Sequence, residues 1–421
     1  MKSRRALLSS ALCLLLLTAA ATNLAACTDR VRAADLMLDI TAQKVEGRPA
    51  DARFIGNVAE FSLRLFRKSA DPGQSSLVSP LSVLLALAMT ANGANAATLS
   101  EMEAVLGGDI PLDELNEYLY AYEISLPSEQ KAKMSIANSI WFRDDEDRLQ
   151  VERDFLQTNA DYYGAAAYKA PFDQRTLKDI NNWVKANTDG LIDKILDEIR
   201  DDAVMYLLNA MVFDAEWKEI YSKNSIYQGE FTAADGSRQA AEFMFSEETW
   251  YLDDGKATGF IKPYAGDKYS FVALLPNEGI EVRDYLAGLS GENFLRIINE
   301  AREIAVNANM PKFSCAYTVE LNDCLKEMGM PAAFSAAQAD FSRLGRSSRG
   351  NIFIGEVLHK TYIAVDERGT KAGAVTKVEM RDEAYIETRT VTLNRPFVYA
   401  IIDNSSKLPL FLGTVLEIES K

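Results

Sequence analysis

A stretch of small residues near the C-terminus alternates with the two-residue period of a β-strand. From Thr370 to Met380, with two exceptions, the even positions are small or apolar and the odd positions are polar, which is typical of a strand with one buried face. Residues 367–369 (ERG) precede it with the character of a turn. Small side chains support a permanent strand poorly, but they let a backbone enter a tight gap. The pattern alone leaves two interpretations open, a regular edge strand or a strand that forms only in a second state.

The rest of the sequence predicts an α+β fold in which helices come early and long strands come late. Apolar residues repeat at helical spacing from Phe54 to about Leu126. The β-rich runs follow, at residues 134–142, 203–213, 303–313 and 352–365. Amphipathic helices are expected between them, at residues 177–187 and 282–302. No linker or internal repeat divides this region, so we expect one domain from residue 50 to residue 421.

Charge and composition exclude several classes of protein. The chain is 48% hydrophobic and 25% charged, as ordinary globular proteins are. With 45 basic and 61 acidic residues the net charge is −16, so we expect no nucleic-acid partner. The only histidine is His359, which excludes a metal site built on several imidazoles, and we expect no cofactor. A hydrolase would need this histidine as its base and a G-x-S-x-G turn, which is absent, so we expect no enzyme.

The N-terminus has the pattern of an export signal. Three basic residues among the first five precede an apolar run from Ala6 to Ala21, which is too short to span a bilayer comfortably. The signal ends in residues 24–27 (LAAC), which resemble the cleavage box of bacterial lipoproteins, where the cysteine becomes the lipidated first residue. A plain signal peptide cut nearby is the alternative.

These features divide the chain into three parts. We expect a lipoprotein signal peptide at residues 1–26, the lipidated Cys27 with a polar tether at residues 27–49, and the folded domain at residues 50–421. A multiply acylated cysteine would hold the protein at a membrane, because each buried methylene contributes about 0.8 kcal/mol. We therefore expect export and lipid anchoring to the bacterial cell envelope, at the outer membrane or the cell surface, or an extracellular location.

Two cysteines remain in the domain. Cys315 lies in a strand-like segment and Cys324 on a predicted helix. The sequence leaves a disulfide open, although an exported protein of this size does not need one, and two small buried side chains are the favoured interpretation.

A series of short motifs resembles, in order, the pattern of the serpin family. Residues 367–376, with the form E-x-G-T-x-A-x-A-x-T, look like the proximal hinge of the serpin reactive loop. The other motifs are residues 78–82 (VSPLS), 208–213 (LNAMVF) with Trp217, 310–313 (MPKF), Gly329 with 333–335 (AFS) and 339–342 (ADFS), 359–360 (HK), 394–397 (NRPF) and 409–413 (PLFLG). No single motif is specific, but their order along the whole domain is, and by this resemblance the chain is identified as a member of the family.

This resemblance implies a serpin fold with three β-sheets, eight to nine helices and an exposed reactive loop. It implies a monomer that inhibits serine endopeptidases, with cysteine endopeptidases left open as further targets. In that family, cleavage frees the loop to insert as a new strand of the central sheet, and the protease stays trapped as an acyl-enzyme. The alternative is a non-inhibitory surface lipoprotein of serpin fold that acts as a binding module.

The resemblance also implies roles for individual residues. The hinge consists of Glu367, Gly369, Thr370, Ala372, Gly373, Ala374, Val375 and Thr376. Residues matching the support of sheet opening are Ser79, Ser82, Asn209, His359, Trp217 and Lys312, the last as the ion-pair partner of Glu367. Without the resemblance, unrelated structural roles would explain each of them.

The resemblance also points to the bond that a protease would cut. Counting seventeen residues inclusively from Glu367 places it between Glu383 and Ala384. Glu383 would suit a protease with a basic specificity pocket. The register is open by about two residues, which leaves three alternatives: Arg381 for a trypsin-like enzyme, and Met380 or Tyr385 for a chymotrypsin- or elastase-like one.

Overall fold

The structure is a computed structural model that describes residues 31–126, 131–144, 148–201, 203–370 and 387–418, with the backbone alone at residues 135, 209 and 210. In these ranges the α-helices are α1 Ala52–Ser69, α2 Pro80–Ala91, α3 Ala96–Leu106, α4 Leu112–Ser125, α5 Arg153–Tyr163, α6 Gln174–Asn187, α7 Val282–Ala287, α8 Gly291–Asn299 and α9 Asn322–Met328. Short 3-10 helices cover Lys223–Ser225 and Pro331–Phe334.

The strands found in the same ranges are β1 Ala34–Asp35, β2 Ser76–Val78, β3 Ala132–Arg143, β4 Leu149–Val151, β5 Ala166–Ala170, β6 Met205–Glu216, β7 Ile226–Thr232, β8 Arg238–Asp253, β9 Ala257–Pro263, β10 Tyr269–Pro276, β11 Arg302–Pro311, β12 Phe313–Glu320, β13 Gly345–Ser347, β14 Glu356–Val365, β15 Gly369–Thr370, β16 Thr388–Thr392, β17 Phe397–Asp403 and β18 Pro409–Val415.

These strands form three sheets. The central sheet has seven strands in the order β1-β5-β3-β6-β15-β14-β12. The second sheet has nine strands, with eight in the order β16-β11-β8-β9-β10-β17-β18-β2 and β7 paired to β8, while β4 and β13 form a small third sheet. The predicted α+β fold, with three sheets and eight to nine helices, is confirmed.

Helix α2 shows how the sequence places the core. All twelve of its residues are buried, and it contacts both β6 of the central sheet and β18 of the second sheet. A helix that is apolar on every side must be covered on every side, so this helix lies between the two large sheets. Pro80 occupies the first turn, where its missing N–H costs no helical hydrogen bond.

Two predicted elements are each divided in two. The run 303–313 forms β11 in the second sheet and β12 in the central sheet, because the chain changes sheets at Lys312. The helix predicted at residues 282–302 is two helices, α7 and α8. The break lies at Gly288–Ser290, where the Ser290 side chain accepts a hydrogen bond from Asn293 N and caps α8.

The chain packs against the domain before α1 begins. Strand β1 pairs with β5 and forms the edge of the central sheet. The N–H groups of Arg32 and Ala33 both donate to a carboxylate oxygen of Asp179, each at 2.9 Å. The polar composition of residues 27–49 predicts a tether, and the structure places residues 31–49 of it on the body. A buried carboxylate on α6, remote in sequence, holds Arg32 and Ala33. Farther along, Gln43 N donates to Asp161 Oδ1 on α5, and Arg48 N donates to Glu117 O on α4.

Two further features concern the cysteines and the membrane. Cys315 and Cys324 are both buried and no disulfide joins them. Within the described ranges, none of the helices combines the length and apolarity needed to cross a bilayer.

Candidate functional site

Strands β6 and β14 are parallel neighbours at one end and part at the other. They pair directly over residues 206–210 and 356–360, with Asn209 opposite His359. Farther along, Ala215 and Val365 both pair with Thr370, so that β15 lies between the two strands. The offset in residue number between β6 and β14 is 150 at both ends. It separates Asn209 from His359, which pair directly, and Ala215 from Val365, which pair through Thr370. One additional strand therefore fits this gap without a shift of register.

A tight turn brings the chain from β14 into this gap. The Asp366 carboxylate accepts hydrogen bonds from Arg368 N at 2.8 Å and Gly369 N at 3.3 Å. The turn closes through Asp366 N, which donates to Gly369 O at 3.0 Å. A Cβ atom on Gly369 would lie 2.0 Å from Ala215 O, so only glycine permits this approach of two backbones.

Thr370 turns its side chain into the core. It is 1% exposed, and its Oγ1 lies 2.6 Å from the Tyr264 hydroxyl. This is the inward face that the alternating pattern predicts for the even positions, observed at the one even hinge position that the structure describes. The remaining hinge residues, the candidate scissile residues and the lipidation site lie outside the described residues: Ala372, Gly373, Ala374, Val375, Thr376, Met380, Arg381, Glu383, Ala384, Tyr385 and Cys27.

Trp217 and Tyr221 hold the turn from one side. The Trp217 indole N–H donates to Asp366 O at 2.9 Å, and its backbone N–H donates to Arg368 O at 2.8 Å. The Tyr221 N–H donates to Glu367 O at 3.0 Å. The Trp217 ring also stacks on the Tyr264 ring, with centroids 4.5 Å apart. Three successive carbonyls of the turn are therefore fixed by two residues.

Lys312 holds the turn from the other side. Its ammonium lies 2.8 Å from the Glu367 carboxylate and 3.3 Å from Glu242. The hydrogen bond from Lys312 lowers the pKa of Glu367 below its ordinary value. Partial burial acts to lower the pKa of Lys312, but its bonds to Glu367 and Glu242 outweigh this effect, so that pKa is raised. Both groups are thus charged at neutral pH.

A buried polar cluster lies where the two strands begin to part. The Ser79 N–H donates to Nε2 of His359 at 2.9 Å, and Ser82 Oγ donates to Ser79 O at 3.2 Å. The backbone of Asn209 is the ladder partner of His359. Burial lowers the pKa of His359 to about 3, so the imidazole is neutral. Its Nε2 accepts, which leaves the proton on Nδ1, and in the described part of the chain Nδ1 has no hydrogen-bond partner.

Several residues of this site escape sequence reasoning. Glu242, Tyr221 and Tyr264 come from other strands and loops, and no local pattern distinguishes them. Thr361 is fully buried and donates to Leu77 O at 2.7 Å, but its position in β14 resembles any inward strand position. Asp366 carried a usable signal, because an aspartate two or three residues before a glycine is typical of a side-chain-closed turn.

Catalytic and metal chemistry find little support in this site. His359 is buried and neutral, and its bonded partner is a backbone N–H. In the ranges that the structure covers, no three His, Cys, Asp or Glu side chains lie together in a way that could hold a metal ion. The arrangement is suited to accepting a strand, with a turn, a glycine and an inward threonine at its entrance.

Comparison with known proteins gives a consistent result. The family described as "Serpin (serine protease inhibitor)" matches residues 56–418. The chain is similar to Serpin-Z2A of Oryza sativa, with 30% identity over 86% of this chain and 97% of that protein. It is also similar to human neuroserpin, at 26% identity over 86% of this chain and 91% of the relative.

Solved structures extend the likeness to the whole domain. The native state of the thermophilic serpin tengpin matches 92% of this chain and 100% of that chain, with 52% identity and a TM-score of 0.89. The latent state of the same serpin matches with a TM-score of 0.80. Members of the matched family are described as protease inhibitors rather than as enzymes. The chain therefore belongs to the serpin family.

Proposed function

We propose that this serpin inhibits serine proteases as a suicide substrate. A protease cleaves the loop, the loop inserts between β6 and β14, and the acyl-enzyme is trapped before it is hydrolysed. The observation that carries the proposal is the in-register gap between these strands, which already holds Gly369 and Thr370 at its entrance.

The register defines what insertion would pair. Continuing from Thr370 opposite Ala215 and Val365, Ala372 would face Phe213 and Ile363. Two residues on, Ala374 would face Met211 and Thr361. Thr376 would then reach Asn209 and His359, separating strands that now pair directly. The small even side chains suit this buried face.

Energetics favour insertion once the loop is cut. Each new ladder hydrogen bond contributes about 0.5–1.5 kcal/mol net, so an insertion of about ten residues could contribute several kcal/mol even after ordering costs. Before cleavage the loop is tethered at Thr388 by β16, which pairs with β11. The uncut loop therefore cannot travel the length of the gap unless β16 is released.

The two tengpin structures support an uninserted ground state. This chain is more similar to the native form of that serpin than to the latent form, with TM-scores of 0.89 and 0.80. The non-inhibitory binding module remains the alternative. The likeness to thyroxine-binding globulin, at 23% identity, shows the fold alone and so favours neither function.

The test is a reaction of the mature domain with glutamyl-specific, trypsin-like, chymotrypsin-like, elastase-like and subtilisin-like proteases. A covalent complex that survives boiling in denaturant would support inhibition. The mass of the released peptide would identify the bond: a peptide starting at Ala384 supports the predicted site, and other starts would favour Met380, Arg381 or Tyr385. Loop cleavage by every protease without any complex would favour the binding module.

We further propose that a lipid on Cys27 holds the protein at the cell envelope. The motif at residues 24–27 and the apolar run before it support this proposal. Expression of Cys27→Ser beside the natural chain, followed by membrane fractionation and intact mass, tests it. The natural chain should carry acyl mass and sediment with membranes, and the variant should do neither; equal behaviour would exclude the lipid.

A further inference from the structure

A buried ion pair lies directly behind the residues that hold the hinge turn. Lys262 Nζ is 2.8 Å from a carboxylate oxygen of Glu248, and the two side chains are 2% and 7% exposed. Burying a lysine and a glutamate is costly, and a pair of this kind is weak evidence for a purely stabilising role. Its contacts with the residues around the hinge turn are therefore of interest.

The Lys262 ammonium contacts both aromatic residues that hold the turn. It lies 4.4 Å from the centroid of the Tyr221 ring and 5.4 Å from that of the Trp217 ring. Ser246 Oγ, in turn, lies 2.6 Å from Glu248 Oε1 and 3.3 Å from the Tyr221 hydroxyl. A desolvated cation within about 6 Å of a ring is attracted to its face, so one charge restrains both rings.

The same two rings belong to the residues that fix the turn at the entrance of the gap. Trp217 and Tyr221 together donate to the carbonyls of Asp366, Glu367 and Arg368. The buried cation thus contacts the two residues that donate these three hydrogen bonds to the hinge backbone. A change at Lys262 would reach the turn without altering any atom of the reactive loop.

We propose that Lys262, held by Glu248, is a positioning residue for loop insertion. By restraining Trp217 and Tyr221 it keeps Gly369 and Thr370 seated as the first pairs of the inserted strand. After cleavage, insertion competes with hydrolysis of the acyl-enzyme, and a hinge that is already paired at Gly369 and Thr370 favours insertion. The inference rests on the proposed inhibitory function.

The experiment compares Lys262→Met with the natural protein and with a matched control. Methionine keeps the apolar stem but removes the cation. The control is Lys268→Met, which breaks another ion pair with a buried carboxylate, 2.9 Å from Asp403, on the β10–β17 side of the second sheet. The readouts are the rate of loop cleavage and the stoichiometry of inhibition, the moles of serpin consumed per mole of protease trapped.

We expect Lys262→Met to raise this stoichiometry about three- to fivefold, the change that loss of a contact of this size gives, with the cleavage rate unchanged. Lys268→Met should lower thermal stability and leave the stoichiometry as it was. An unchanged stoichiometry for Lys262→Met, or an equal rise for Lys268→Met, would overturn the inference.

A double variant keeps the test decisive if the single variant folds poorly. Lys262→Met/Glu248→Met leaves no unpaired buried charge, so it should recover thermal stability. If Lys262 positions the rings, the stoichiometry of the double variant stays high; if it recovers together with stability, the lysine is merely structural and the inference fails. If the natural protein traps none of the proteases, the proposed function fails, and this inference falls with it.

Discussion

The Tyr264 hydroxyl lies 2.6 Å from Oγ1 of Thr370, in the buried upper end of the central sheet. Tyr264 also stacks on Trp217, whose indole N–H donates to Asp366 O. The hinge is therefore joined to the core by its side chain and by its backbone. This arrangement makes the entrance of the gap sensitive to small changes in the residues that occupy it.

Replacing Gly369 with alanine should displace the hinge. The added Cβ would lie 2.0 Å from Ala215 O and 2.8 Å from Glu216 Cα, and relieving such a clash typically costs about 1–3 kcal/mol. We expect complex formation with the target protease to fall about tenfold relative to loop cleavage. Quantitative denaturing gels measure both products.

Gly56→Ala is the matched control, because nothing lies within 4 Å of a Cβ at that helical position. It should leave complex formation unchanged and keep or slightly raise stability. Full trapping by Gly369→Ala would contradict the account of the hinge.

A charge at Thr370 should convert the inhibitor into a substrate. The Thr370 side chain is 1% exposed, and an arginine there would have to bury an unpaired charge in order to stay between β6 and β14. We expect Thr370→Arg to be cleaved at the natural rate without forming complex, whereas Thr370→Ser keeps the hydroxyl facing Tyr264 and should trap normally. Trapping by both variants would show that the inward face at this position does not matter.

The ion pair of Glu367 and Lys312 should weaken in acid. The pKa of Glu367 is lowered in the folded protein, so its contribution is present above the ordinary glutamate value and is lost as the pH falls through the lowered pKa. The natural protein should therefore lose thermal stability more steeply below about pH 4.5 than Glu367→Gln does. If the melting temperatures of the two proteins fall equally with pH between about pH 7 and 3, this assignment is contradicted.

His359 should stay neutral through the physiological range. Its pKa is lowered by burial to about 3, so a folded-state imidazole spectrum should not change between about pH 5 and 8. Since it is the only histidine in the chain, its NMR signals need no assignment by mutation. An unfolded histidine binds a proton below about pH 6.5, so stability should fall with pH from there towards 3. A titration with a midpoint near 6.5 in the folded protein would refute the buried, neutral state.

The sequence predicts the fold better than it predicts the site. Apolar periodicity is local, so α1, α2 and β6 follow from it, and the order of short motifs identifies the family. The helix predicted at 282–302 failed because Ser290 competes as a cap, a signal weaker than the apolar period around it.

The site depends on contacts between residues remote in sequence. The Lys312–Glu367 pair follows from the family resemblance, but Tyr264 beside Thr370 and Lys262 beside Tyr221 arise only when strands from two sheets meet. Local patterns likewise do not reveal that the Asp179 carboxylate binds Arg32 and Ala33. The polar composition of residues 31–49 therefore predicts a tether, although the structure packs them against the domain.

The most direct test of the central claim is thermal melting of the domain before and after its loop is cut by a protease that it does not trap. If the cut loop inserts between β6 and β14, the melting temperature should rise by about 10 °C or more, because each inserted residue adds ladder hydrogen bonds to the sheet. An unchanged melting temperature after complete cleavage would contradict insertion and would favour a serpin that acts only as a binding module.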